Sequence, residues 1–504
     1  MNYFTIVCKM KNFIYVILVF FISCQKNDIV IPELFLIQAT VSPNESGTVV
    51  FSKTGPYSLN ENITVTAVAN PNYIFSHWAG DLAGELVSLD VLTNKNFSLV
   101  AVFLPLKSFS NENVVLYQAQ KIDHDGYFFM IENGKKDAYL VNHEGEKVFE
   151  WNFEASFGND IELTASGDIL ACFKVADPTI IIGGFGGVIK RFNPQGELIW
   201  NYEVNSKNEI AHHDATELPN GHILIMLWER IEQSLLFEFG LSIDHDIFLE
   251  KLIEVDPSNN HIVWQWRSWD HIVQDIDEGK SNYGIISAHP NKINISYNKG
   301  MQHGDWMHAN GIFYDSSKDL IYLSVNFYSE VWVIDHSTTL EEATSENGGA
   351  YNRGGDLVYR FGNPTTYNEN SIDRFFFNNH HPSIVPNGYV GATNFLIYNN
   401  GSNNKQSIAY ELILPTFSQS SMQNFVAPLV QWSFTDPSMY FDKISGVQRL
   451  LNGNTLICEG DYGFWEVTPS GEVVWKYDGL GTSFWRGYYY LKNDTRLLAY
   501  KIDE

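Results

Sequence analysis

The stretch WEVTPSGEVVWKY at 465–477 decides how this chain is to be read. An apolar strand enters a Thr-Pro-Ser-Gly turn and a second apolar strand leaves it, closing on aromatic residues, which is how a β-hairpin is written in sequence. Residues 253–266, IEVDPSNNHIVWQW, repeat the phrase with a longer turn. Its closing half occurs six times: EKVFEW (146–151), ELIW (197–200), HIVWQW (261–266), DLVYRF (356–361), LVQWSF (429–434) and EVVWKY (472–477). A second phrase opens the repeats, as DIELTASGDIL (160–170), HDATELPNGHIL (213–224), HPSIVPNGYV (381–390) and SGVQRLLNGNTL (445–456). Units of roughly 40 to 70 residues, all strand and without helical periodicity, have the size of four-stranded blades. The chain is therefore expected to be all-β, with a six-bladed β-propeller over 113–504. A parallel β-helix has shorter coils, and a sandwich does not repeat its turns in this manner.

The repeat also says where its polar residues go. In a propeller the first strand of each blade lines the central channel, so equal offset from the turn means equal height along it. Eight residues before the turn glycine stand Asn159, His213, His380 and Ser445. The stretch MHANGIFYDSSKDLIYLS (307–324) opens in the same way with a longer turn and sets His308 at that height. Three histidines are thus expected to converge on one mouth of the channel. Their neighbours His212 and His381 are expected to pack into the blades, because strand side chains alternate. Cys172 and Cys458 each follow a turn glycine by five residues and are expected as buried thiols rather than a disulfide. The glycine run at 183–187 lacks a phosphate-loop pattern and reads as a blade loop.

Further out, residues 35–104 form a separate β-rich module of short strands between Pro, Asn and Gly turns, with Trp78 expected in its core. At the N-terminus, Lys9 and Lys11 precede the apolar run FIYVILVFFI (13–22), then Ser23 and Cys24. Ten apolar residues behind lysines make a signal-peptide core, too short to span a bilayer as a helix. Residues 1–23 are expected to be a lipoprotein signal peptide, Cys24 the lipid-bearing residue and 24–34 a tether, which would hold the protein at the outer membrane in the cell envelope. The net charge of −27 argues against a nucleic-acid partner. It also repels small anions at long range, so an anion site must supply its own donors.

Two resemblances follow from these stretches. Residues 35–104 resemble the divergent InlB-type B-repeat through Gly47-Thr48-Val49, Tyr57, Trp78-Ala79-Gly80-Asp81 and LVAVF (99–103). The repeat region resembles the bacterial arylsulfotransferase family over most of 113–490. The stretches that carry it are DWMHANGIFYD (305–315), LIYLSVNFYSEVWVIDHSTT (320–339), GGDLVYRFGNP (354–364), NHHPSIVPNG (379–388) and SGVQRLLNGNTLICEGD (445–461). That likeness implies transfer of a sulfuryl group from a small aromatic sulfate donor to a phenolic acceptor without a cofactor. It implies His380 as the residue that becomes sulfated, with His308 and His213 around the sulfuryl group. Family members carry arginine where this chain has Asn326, and glutamine where it has Asn379. Losing a guanidinium removes a bidentate clamp on sulfate, and Arg486 is the candidate to replace it. A neutral imidazole is a competent nucleophile near neutral pH, and fixed donors stabilise charge spread over the sulfuryl oxygens. Two other readings fit the same histidines: a metal centre held by three imidazoles, and a binding propeller without catalysis.

Overall fold

The computed structural model describes residues 5–10, 13–18, 33–70, 73–105, 111–122, 124–369, 371–417 and 426–502. Cys24 and most of the expected signal peptide and tether lie outside them. The chain divides into two compact units, 1–108 and 109–504.

In the first unit, two three-stranded sheets carry the B-repeat-like module. One pairs Phe97–Pro105 in parallel with Ile37–Ser42 and antiparallel with Tyr73–Gly80; the other sets Asn62–Ala69 between Gly47–Phe51 and Ser88–Leu92. Alternation along these strands buries one face, so Ile63, Val65 and Ala67 meet Leu99, Ala101 and Phe103 around Trp78. Trp78 is fully buried, and its indole N–H donates to the Leu86 carbonyl.

The second unit is built of antiparallel meanders. Phe157–Leu163, Ile169–Lys174, Gly187–Phe192 and Leu198–Glu203 form the first in chain order. Glu209–Glu217, Ile223–Ile231, Ile247–Asp256 and His261–Arg267 form the next, joined to it by the single parallel pair Asn159–His213. Meanders open in turn with Ala309–Asp315, Asn379–Ile384 and Gly446–Arg449. The last combines both ends of the chain: Phe484–Leu491 pairs with Gly126–Glu132, which continues into Asp137–Val141 and Lys147–Asn152. A second seam lies beside it, where Val114–Tyr117 adds an outer strand along Val473–Asp478. The closing phrases of the sequence fall on the fourth strand of each meander, the outermost in five of them; in the sixth, Val473–Asp478 is flanked by Val114–Tyr117. Packing between meanders is aromatic, with Trp228, Trp266, Trp306, Trp332, Trp465 and Trp475 fully buried. Cys172 and Cys458 are free and buried.

Candidate active site

The opening strands do more than alternate. Four of them have a bulge: between the pairs Ala211–Leu227 and Ala215–Ile225, three residues on one strand oppose one on its partner. Phe157 to Ile161 shows the same excess, and smaller ones follow Ala309 and His380. A bulge bends its strand and re-aims a side chain. Asn159 and His213 lie within the first two bulges and His308 just before the third, with positive φ of 133°, 52° and 50°, a region ordinarily avoided by residues with a side chain. In the fourth opening strand the left-handed residue is His381 (φ 58°) instead, so His380 reaches the same place from extended backbone.

His213, His308, His380, Asn326 and Asn159 line one cavity of about 650 Å³, with Trp485, Phe327, Ile444, Lys443 and the glycine loop at 183–184. Ser445 does not line it; its Oγ accepts the Gly460 N–H, and Ile444 takes its place. Nor does Arg486, the proposed replacement for the missing arginine. Its guanidinium is bound to Asp160, lies 3.4 Å from Asp214 and donates to the Asn310 carbonyl, and it lines a second cavity of about 300 Å³. The reason is alternation: Trp485 takes the histidine cavity and the next residue is turned to the other. Asn379 is fully buried and locked by bonds to Ser324 and the Glu330 carbonyl.

Each imidazole has its protonation set by partners that sequence reading did not find. His380 Nδ1 lies 2.7 Å from Asn400 Oδ1. The Asn400 amide nitrogen donates to the carbonyls of Phe441 and Ile444, so its oxygen must face the ring. Nδ1 therefore carries the proton and Nε2 the lone pair, which accepts the Ile444 N–H at 3.1 Å. Burial, ahead of the charge of Arg486, pushes this imidazole down to about 3, so it is neutral across physiological pH.

His308 is the opposite case. Its ring stacks on Phe327 with centroids 4.7 Å apart, and Nδ1 bonds the carboxylate of Asp305, which also accepts the His308 N–H. Burial alone would discharge the ring, but the charge and hydrogen bond of Asp305 prevail and raise its pKa. It is the cation of the site.

His213 is neutral, held far below its ordinary range by burial and then by the charge of His308, whose ring centroid lies 4.9 Å away. Its Nδ1 lies 2.8 Å from His212 Nδ1, and His212 Nε2 lies 3.0 Å from Glu250. Burial and the nearby Asp305 raise Glu250 well above the usual carboxylate range. A protonated Glu250 donates to His212, His212 donates to His213, and His213 is left with its proton on Nε2. His212, expected as packing, stacks on Trp228 at 3.9 Å and also passes this order along. Gly184 backs the ring: with φ of +90° it adopts a left-handed conformation, and a Cβ there would fall 2.2 Å from His213 Nε2. Asn326 accepts from Asn378 through Oδ1, which leaves its amide N–H groups as donors for the cavity. The three histidines and Asn326 thus offer one lone-pair nitrogen, one imidazolium and two neutral N–H donors, with Lys443 also on the cavity wall.

Residues 111–471 match the model of the family described as Arylsulfotransferase (ASST), and residues 37–106 match the divergent InlB B-repeat domain. No curated protein matches the chain. Among solved structures, a protein of unknown function from Bacteroides caccae aligns at 12% identity over 73% of this chain and 100% of its own, with a TM-score of 0.42. The hydrazine synthase of Kuenenia stuttgartiensis aligns at 12% over 78% and 99%, with a TM-score of 0.32. The family match spans well over half of the sequence and contains the cavity histidines, and by it the chain belongs to the arylsulfotransferases, enzymes that pass a sulfuryl group from an aryl sulfate to a phenol.

Proposed function

We propose that the meanders are the six blades of one propeller and that sulfate transfer proceeds at its histidine cavity through a covalent sulfohistidine on His380. The observation that carries this reading is the locked tautomer: Asn400 holds the proton on Nδ1, so Nε2 has a lone pair at every pH at which the protein is folded and neutral imidazole prevails. Entry of the donor opens the bond between Nε2 and the Ile444 N–H. Nε2 then attacks sulfur, the S–O bond to the aryl oxygen breaks, and the departing phenolate takes the proton from His308. The sulfuryl oxygens meet donors already in place, the Nε2–H of His213 and the Asn326 amide. In the second half the acceptor phenol returns a proton to His308, its oxygen attacks sulfur, and the N–S bond breaks.

Initial rates with a chromogenic aryl sulfate and a phenol acceptor test the scheme. Parallel double-reciprocal plots are expected; intersecting plots would mean direct transfer between bound substrates. The lysine-led apolar run and Cys24 support an enzyme anchored in the cell envelope by lipid. Metabolic labelling with a fatty-acid analogue should mark the wild type and not Cys24→Ser; equal labelling of both would reject the anchor.

A further inference from the structure

A second group of imidazoles lies at the seam where the two ends of the chain meet. His124 precedes the strand Gly126–Glu132, His143 sits in the turn after Asp137–Val141, and Glu466 belongs to Gly463–Val467. Their side chains are 4%, 5% and 0% exposed. His124 Nε2 is 3.1 Å from one oxygen of Glu466, and His143 Nε2 is 3.6 Å from the other. The three ligand atoms all lie within 4.8 Å of one another, and among the described residues no other group of three such side chains is as close. Metal–ligand bonds of about 2.0–2.2 Å in a tetrahedral site set neighbouring ligand atoms roughly 3.3–3.6 Å apart, close to the two contacts with Glu466.

Two of these atoms are left over. His143 Nε2 and Glu466 Oε2 are buried and have no other partner than this long contact with each other, which is costly for any polar atom and more so for a carboxylate oxygen. The other atoms are arranged as supporting contacts of a metal site are. The Tyr489 hydroxyl lies 2.5 Å from His124 Nδ1, which fixes that ring with Nε2 towards the carboxylate. Asn454 donates to Glu466 Oε1 at 2.7 Å.

We propose that His124, His143 and Glu466 bind one divalent ion of the zinc type, and that this ion clasps the N-terminal hairpin to the strand pair that closes the chain. Two imidazole nitrogens and one carboxylate oxygen suit a borderline-soft ion rather than calcium or magnesium. None of the three residues lines the histidine cavity, so the ion holds the closure of the fold and leaves transfer chemistry alone.

The test uses the full-length protein, stripped with EDTA, dialysed, and titrated with zinc chloride by calorimetry while thermal unfolding is recorded with and without zinc. One tight zinc per chain is expected, with a melting temperature raised by about 3 °C or more at saturation. Glu466→Gln and His143→Ala should each lose that binding step and its thermal shift. The wild-type titration decides the matter even where a variant fails to fold: no stoichiometric step, or a step without a thermal shift, overturns the proposal. Equal binding by wild type and a folded His143→Ala overturns it as well.

Discussion

Neighbouring residues on the same opening strands serve two cavities of opposite character. Asn159, His213, His380 and Trp485 line the larger one, while Asp160, Asp214, His381 and Arg486, each the next in sequence, line the smaller. In the smaller cavity charge is matched by charge. Arg486 is held by Asp160 and Asp214, Tyr488 donates to Asp160 at 2.8 Å, and Ile312 N–H donates to Asp214. Asp214 is raised to about 6 by burial and then by Asp160, so this network shares its charge among several groups. In the larger cavity Asn400, Asp305, His212 and Asn378 each hold one polar side chain, and His380 Nε2 carries a single bond, from the Ile444 N–H. One side of the bulge binds its polar groups to one another through charge; the other leaves donors and a lightly held lone pair at the cavity.

Substitutions on the two sides should therefore fail in different ways. Arg486→Met leaves Asp160 and Asp214 buried without their cation, and breaking such a pair costs about 3–5 kcal/mol. Urea unfolding should show that loss, with turnover per folded molecule close to that of wild type. A stable but inactive Arg486→Met would place the guanidinium in the chemistry and erase the contrast.

His308→Ala and His213→Ala should do the reverse. Each removes a preorganised donor and should slow turnover by about 10²–10³, with a urea midpoint changed far less than in Arg486→Met. Destabilisation without a rate effect in either would move that residue to the structural side.

Asn326→Arg sharpens the same contrast from within the larger cavity. A charged hydrogen bond exceeds a neutral one by about 1 kcal/mol or somewhat more, so turnover of a simple aryl sulfate should rise by about tenfold. A drop would show that the pocket is shaped for a bulkier donor than the family arginine allows.

The smallest effect is in pH. His308 must be protonated to release the first phenol, so the donor half-reaction should fall as pH rises through its elevated pKa. On the acid side no fall is expected until His380 protonates near pH 3, provided the protein remains folded. Asp305→Asn removes the charge that holds the His308 proton, and the alkaline limb should move to lower pH in stopped-flow bursts. An unmoved limb would assign the titration to another group.

The turns and aromatic closings of the sequence were enough to find the meanders and their outermost strands, because turn chemistry and period-two alternation are local. Equal spacing from a turn glycine also brought His213 and His380 to one cavity, and the matching opening phrase at 307–324 added His308. It failed for Ser445 and would have misplaced the His380 backbone, since bulges of unequal length absorb different numbers of residues. Arg486 shows what alternation alone could have settled, for Trp485 beside it already takes the inward place. Asn400, Glu250 and Gly184 were out of reach. Each acts across a contact between segments distant in sequence, and Glu250 inside IFLEKLIEVD (247–256) looks like any strand residue until its burial is known. Asp305, three residues before His308, and His212, next to His213, were the partners that lay close enough to be seen.

The central claim is that His380 Nε2 bonds to sulfur, and the most direct measurement is peptide mass spectrometry after brief exposure to an aryl sulfate with no acceptor. The peptide bearing His380 should gain one acid-labile SO₃, released on adding phenol, and the gain should vanish in His380→Ala while persisting in His381→Ala. An unmodified His380 in a protein that still transfers sulfate, or modification of His381 in its place, would contradict the account.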